Sequence, residues 1–251
     1  MQKLEERPNG RYITNRRKFA PLASFKPSTI EMVFEFAYSM SFGKIGEHRN
    51  HRSGGLQQRN AGGIFADTFQ GKLSEFAFYN TAYREIPIEK PGLEVWELGK
   101  WDEADFFANG YSLNIKSTKA FGNLLLLETK DWNEQAQYLP NIEKGHFDYD
   151  YFILVRMKPY CEELLGSRCL LSAGETDKEL LRHTLLSEKW EYDIPGWCSR
   201  AELVQIIGDK HIIKQGEMLN GKTRIDAANF YVQTGCMHNI KELFPLLKTK
   251  K

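Results

Sequence analysis

The sequence lacks any apolar run approaching the roughly 18 residues that a membrane-spanning helix needs. Its opening stretch, MQKLEERPNGRYITNRRKFA, holds no hydrophobic segment of the kind a secretory signal carries. A soluble, cytoplasmic protein with no membrane partner is therefore expected. Cysteine is scarce as well. The four present, Cys161, Cys169, Cys198 and Cys236, are widely spaced and form no CxxC pair. That spacing argues against a zinc ribbon and leaves buried free thiols as the expectation. Net charge is nearly absent: 34 Lys and Arg stand against 33 Asp and Glu, which excludes a chain that wraps nucleic acid along its whole length. Internal repeats and low-complexity linkers are also missing, so residues 1–251 are expected to form one domain.

What is present is the composition of a globular domain, with 41% hydrophobic, 27% charged and 13% aromatic residues. The charge is unevenly placed. Residues 1–60 carry eleven Lys and Arg against five Glu, a net of +6, and the remainder of the chain nets −5. A basic N-terminal end suits a phosphate-contacting surface as well as it suits a solvated arm.

Residues 1–26 are polar and read as extended. STIEMVFEFAYSMSF (28–42) predicts a helix, with Ser28 as cap and Glu31 three residues on in the capping-box pattern. The stretch 43–63 is rich in Gly, Asn, Arg and His and predicts a long loop. Phe65, Phe69, Leu73 and Phe76 recur at helical spacing within 64–83, with Lys72, Glu75 and Tyr79 on another face. Strands are expected over 93–99, 123–129, 149–159 and 224–234, and helices over 175–190, 199–207 (capped by Ser199) and 239–248. This order predicts an α/β or α+β protein, with a mixed sheet flanked by helices.

DFFANGYSLNIKSTK (105–119) carries the strongest local signal. A two-residue Asn109-Gly110 loop favours a type I′ turn. If these are its central residues, Phe107 faces Ser112 and Asp105 stands opposite Asn114. Period two then puts Asp105, Asn114 and Lys116 on one polar face, with Leu113 and Ile115 on the apolar face that covers the core. A plain solvent-facing strand would show the same pattern. The arrangement also has chemical value. A carboxylate beside a strand backbone can hold a hard divalent cation, and a nearby lysine can orient water or offset charge on a phosphate.

Asp105, followed by Asn114-Ile115-Lys116 on the next strand, resembles the active-site signature of the PD-(D/E)XK, or restriction-endonuclease-like, nucleases. In that family an Asp ends one strand and an acidic-x-Lys triplet lies on the next. GKLSEF (71–76) is similar to the preceding helix, whose glutamate contributes to the metal site. Together with WDEADFF and LLLLETKDW, these motifs resemble type II restriction endonucleases over roughly 71–132.

The resemblance implies a nuclease core over about 64–160, with a basic N-terminal region (1–63) and a C-terminal recognition or dimerisation part (161–251). It implies Mg²⁺ held by Asp105, Glu75, Asn114 and the Ile115 carbonyl, with Lys116 as catalytic lysine. The implied activity is site-specific hydrolysis of double-stranded DNA by a homodimer. Asn114 departs from the family pattern, because an amide oxygen brings no charge. Glu103 and Glu128 are candidate compensating acids. Arg49, His51, Arg52 and Arg59 in the long loop have side chains suited to reading bases or clamping phosphates. Arg16, Arg17 and Lys18 suit an arm on the DNA backbone, and Ser117, Thr118 and Lys119 lie beside the catalytic strand. The alternatives are a non-cleaving DNA-binding protein on the same fold and a structure-specific repair or RNA-processing nuclease.

Overall fold

Pro27 sets where the first helix starts. The computed structural model of the chain describes residues 1–43, 60–93, 104–143, 145 and 148–250. It begins with three short strands, β1 (Glu5–Arg7), β2 (Gly10–Tyr12) and β3 (Ala23–Ser24), so the basic end contains extended segments as expected. Helix α1 follows over Pro27–Ser41. Lys26 is its N-cap, without a side-chain cap, and Pro27 opens the helix, where its fixed φ and missing N–H do no harm. The capping box expected of Ser28 and Glu31 is displaced. Ser28 lies inside the helix, and Glu31 Oε1 accepts from Arg182 Nε at 2.5 Å. Helix α2 (Ala61–Ala82) is capped by Asn60, whose side chain accepts from the Gly63 N–H.

The remaining elements are β4 (Phe106–Ala108), β5 (Tyr111–Lys119), β6 (Leu124–Glu128), α3 (Leu139–Ile142), β7 (Tyr151–Lys158), α4 (Cys161–Ser167) and α5 (Lys178–Leu186). After them come β8 (Glu191–Ser199), α6 (Arg200–Gly208), β9 (Ile212–Ile213), β10 (Met218–Leu219), β11 (Thr223–Arg224), β12 (Asn229–Gln233) and α7 (Ile240–Lys248). Ser199 caps α6 through a full capping box with Glu202, as its position predicts. The strand expected over 93–99 lies, apart from Leu93, outside the described residues.

The main sheet has the order β3-β8-β7-β5-β4. β5 and β7 run parallel and the other neighbours antiparallel, so the protein is α+β with a mixed sheet. One face packs on helices: Leu113, Ile115, Ile153, Val155 and Met157 share a core with α1, α2 and α7. The other face departs from expectation. Phe152 and Leu154 pack against a second sheet, ordered β6-β12-β9, and against α6. β6 is therefore an edge strand, and its Leu126 is exposed. Beyond that sheet a third cluster joins Leu124 and Tyr231 to Leu4 and Ile225, near a small sheet of order β1-β2-β10-β11. The expectation for the thiols holds for Cys161 and Cys198, whereas Cys169 is exposed and Cys236 half-buried.

β8 was not foreseen, because Pro195 and Gly196 interrupt its apolar pattern. A register shift between Leu154 and Arg156 accommodates them, since a bulge removes the need for a regular ladder at proline. Just past the bulge, Arg156 faces Asp193. Arg156 is 1% exposed, and its Nε and Nη2 donate to the two Asp193 oxygens at 2.8 and 2.6 Å. Asp193 Oδ2 also accepts from the Ala20 N–H. Removing one member of such a pair strands the other charge away from water. We predict that Asp193→Ala lowers unfolding free energy by about 3–5 kcal/mol, read as a lower urea midpoint. A midpoint equal to the parent's would contradict this account.

Candidate active site

The Asn-Gly turn sets the site. Asn109 and Gly110 both have positive φ, 49° and 89°, as a type I′ turn requires. The Asn109 amide also donates to the Leu247 carbonyl, which ties the turn to α7. The ladder pairs Phe106 with Leu113, Phe107 with Ser112 and Ala108 with Tyr111, in the predicted register. One step further, Asp105 comes level with Asn114.

Asp105 does not continue the ladder. Its Oδ2 accepts the Ile115 N–H at 2.5 Å, taking the place of a backbone carbonyl. In a strand, the N–H and C=O of one residue point to the same side. The Ile115 carbonyl therefore opens toward the same edge as the Asp105 carboxylate. Asn114, buried at 4% exposure, projects from the face covered by the second sheet. Its Oδ1 has no hydrogen-bond partner among the described residues. Its side chain lies in hydrogen-bonding range of the Tyr149 hydroxyl, as does that of Asn141. Burial, and next to it the nearby Asp105 charge, push the Tyr149 phenol well above its usual pKa, while the two amides pull the other way.

Tyr149 is the residue that sequence reasoning missed. It precedes β7 and enters the site because β5 and β7 are parallel neighbours, with Asn114 level with Phe152. The polar face of β5 is also less open than a solvent-facing strand would be. Ser112 is buried, and it binds Asp150 Oδ2 through both its N–H (2.9 Å) and its hydroxyl (3.1 Å). Asp148 accepts from Gln137 and from Arg200, each at 2.8 Å. Both aspartates flanking Tyr149 are thus held by structural partners.

Lys116 follows on the same face as Asn114 and is half-buried. Glu75 sits on α2, where its Oε2 is 2.7 Å from Lys72 Nζ, and Lys72 in turn lies 5.4 Å over the Phe36 ring. One turn later Phe78 packs on Phe106, the residue after Asp105, with ring centroids 5.2 Å apart. This contact docks the helix on the hairpin beside the site. Glu128 ends β6 in the other sheet, 3.9 Å from Lys130. Ser117, Thr118 and Lys119 are half-buried toward the end of β5, and Lys119 pairs with Glu163 at 3.0 Å. Arg49, His51, Arg52, Arg59 and Glu103 lie outside the described residues.

The donor set suits a hard cation. It offers the Asp105 carboxylate, the Ile115 carbonyl and an amide oxygen that accepts no hydrogen bond, all oxygen ligands. It is poor in charge, and no cluster of three His, Cys, Asp or Glu side chains forms among the described residues. Comparison of the chain with protein-family models, curated proteins and solved structures finds no match.

The raised pKa of Tyr149 has a consequence at alkaline pH. Above pH 10 an unfolded tyrosine loses its proton while the folded Tyr149 keeps it, so stability falls as pH rises. Tyr149→Phe should remove about 1 kcal/mol of that decline between pH 10 and 11, measured by urea unfolding at the two pH values. An unchanged slope would contradict the buried, neutral phenol.

Proposed function

We propose that the chain is a Mg²⁺-dependent endonuclease of the PD-(D/E)XK type, acting as a site-specific type II restriction enzyme on double-stranded DNA. The observation that carries this reading is the docking of the Asp105 carboxylate on the Ile115 N–H, beside Asn114 and Lys116 on the next strand. The order of parts also fits the resemblance: a helix bearing Glu75, an aspartate entering one strand, and an x-Lys triplet on its hairpin partner. The restriction-endonuclease-like core follows from the same correspondence. Activity as a homodimer in the cytoplasm belongs to the reading, since a two-fold protein matches a palindromic site.

Asp105, the Asn114 amide oxygen and the Ile115 carbonyl would hold Mg²⁺, and Glu75 would join them by exchanging Lys72 for the cation. When bound, Mg²⁺ supplies a Lewis acid for a phosphate oxygen. Lys116 orients the attacking water and offsets charge developing on the phosphate. Tyr149, kept protonated, fixes the Asn114 amide so that its oxygen stays turned to the site. Arg16 and Lys18, both exposed, contact the DNA backbone, and Ser117, Thr118 and Lys119 lie along the same strand. Arg17 is differently engaged: its guanidinium donates to the Pro195 and Met237 carbonyls at 2.6 and 2.5 Å.

Asn114 favours the second reading, a DNA-binding protein that does not cleave, because a neutral amide stands where the family pattern has an acid. One experiment separates the two: phage-sized duplex DNA incubated with Mg²⁺ and the parent protein, Lys116→Ala or Asn114→Asp. The parent is expected to give discrete fragments, and Lys116→Ala to cut about 10²–10³-fold more slowly. Cutting by Asn114→Asp alone would mark the amide as the missing charge. Intact duplex in every sample would reject the nuclease reading.

A further inference from the structure

A cavity of about 1000 Å³ opens where the parallel strands β5 and β7 end, beneath the N-terminal segment. Cations dominate its lining. Arg16, Lys18 and Lys158 are exposed and form no ion pair among the described residues. The one carboxylate in the lining, Glu163, is matched by Lys119. Arg156 forms part of the floor but is neutralised by Asp193. The cavity is also aromatic. Phe19 lies against the Arg156 guanidinium, Tyr160 lines one wall, and Phe121 stands at the rim, 66% exposed. Lys119 Nζ lies over one face of the Phe121 ring, 4.8 Å from its centre, so a charge and an exposed ring are presented together.

Three uncommitted cations around an apolar, aromatic hollow match a ligand with an anionic end and a flat, weakly polar body. A lone phosphate would leave the aromatic surface unused, and an uncharged ring would leave the cations unanswered. We propose that this cavity binds a nucleotide with its base unstacked, the phosphate meeting Arg16, Lys18 and Lys158 and the base lying on Phe121. Base–aromatic stacking beside a cationic track is the general means of holding an unpaired nucleotide. The cavity shares Arg16, Lys18 and Lys119 with the DNA contacts proposed above but none of the Asp105–Lys116 constellation, so its test is run without metal, where a failure of hydrolysis does not bear on it. The nucleotide has two possible sources: a free mononucleotide or one unit of a single strand.

The test is fluorescence anisotropy with a labelled single-stranded decanucleotide in EDTA, competed by unlabelled dAMP. Arg16→Gln/Lys18→Gln should weaken binding about tenfold and flatten the plot of log affinity against log salt by roughly 1.4, two cations at about 0.7 each. Phe121→Ala should weaken it about fivefold or more and leave the salt slope unchanged. Competition by dAMP assigns the cavity to free nucleotides, and its failure assigns the cavity to a strand. All substituted residues are exposed or half-exposed, and circular dichroism verifies folding. Parent-like affinity for both probes in the charge and Phe121 variants would overturn the proposal.

Discussion

The architecture depends on Arg156. A guanidinium has five N–H donors, and here each has a partner. Two go to Asp193, two to the carbonyls of Arg17 and Lys18, and one to Asn123 Oδ1. Taking a charged pair out of water costs several kcal/mol per ion, and only a fully satisfied network offsets it. The network also settles the topology. β7 and β8 meet at the pair, the N-terminal segment is laid across them, and Asn123 ties in the entry to β6. Thr234 extends the same chain of bonds, giving its hydroxyl to Asn123 and accepting from the Arg17 N–H. Gly235 shows how close this crossing is, since a Cβ there would fall 1.8 Å from Asn15 Oδ1. Two sheets and the N-terminal segment are thereby fixed to one another by polar contacts rather than by apolar burial alone.

That rigidity bears on the site at the other end of β5. Asp105, Asn114 and Tyr149 come from the entry to an edge strand, a central strand and the approach to β7, so their relation depends on the main sheet holding its register. The neutral amide fits this setting. A second carboxylate at position 114 would face Asp105 across a largely dry space, where like charges resist joint ionisation. With asparagine, a neutral amide stands level with the Asp105 carboxylate, which is bound to the Ile115 N–H. The same choice lowers the charge offered to a cation. Stability of the fold and, on the proposed reading, affinity for a cation therefore pull this position in opposite directions.

The parts that were legible in the sequence are those whose signals are local. Asn109-Gly110 fixed the hairpin register, because two consecutive positive φ angles admit few other residues. Ser199 as the cap of α6, and the phenylalanines of α2, were equally readable. The failures share a cause. Ser28 was outcompeted by Pro27, one residue earlier. β8 hides behind Pro195 and Gly196, which a bulge and cross-chain contacts make tolerable. Period two correctly separated the two faces of β5, but alternation says nothing about what covers a face, and the approach to β7, with Asp148, Tyr149 and Asp150, lies against Ser112 and Asn114. Tyr149 was invisible for the same reason: its role arises from strand order, which no local pattern carries.

β5 also sets the relation between the site and the cationic cavity. Asn114 and Lys119 are five residues apart on one strand, about 16 Å at the rise of an extended chain. A B-form DNA strand advances about 3.4 Å per nucleotide, so this separation corresponds to roughly five nucleotides. A strand whose phosphate lies at Asp105 and Asn114 and which follows β5 would bring a nucleotide some five positions away to Lys119 and Phe121. An unstacked base at that distance leaves the duplex at the reacting phosphate undistorted by the extrusion. On the two proposed readings the ends of β5 would act on one strand without competing for the same nucleotide, and the Arg156 network, by fixing the N-terminal segment over the cavity, would keep the distance between them constant.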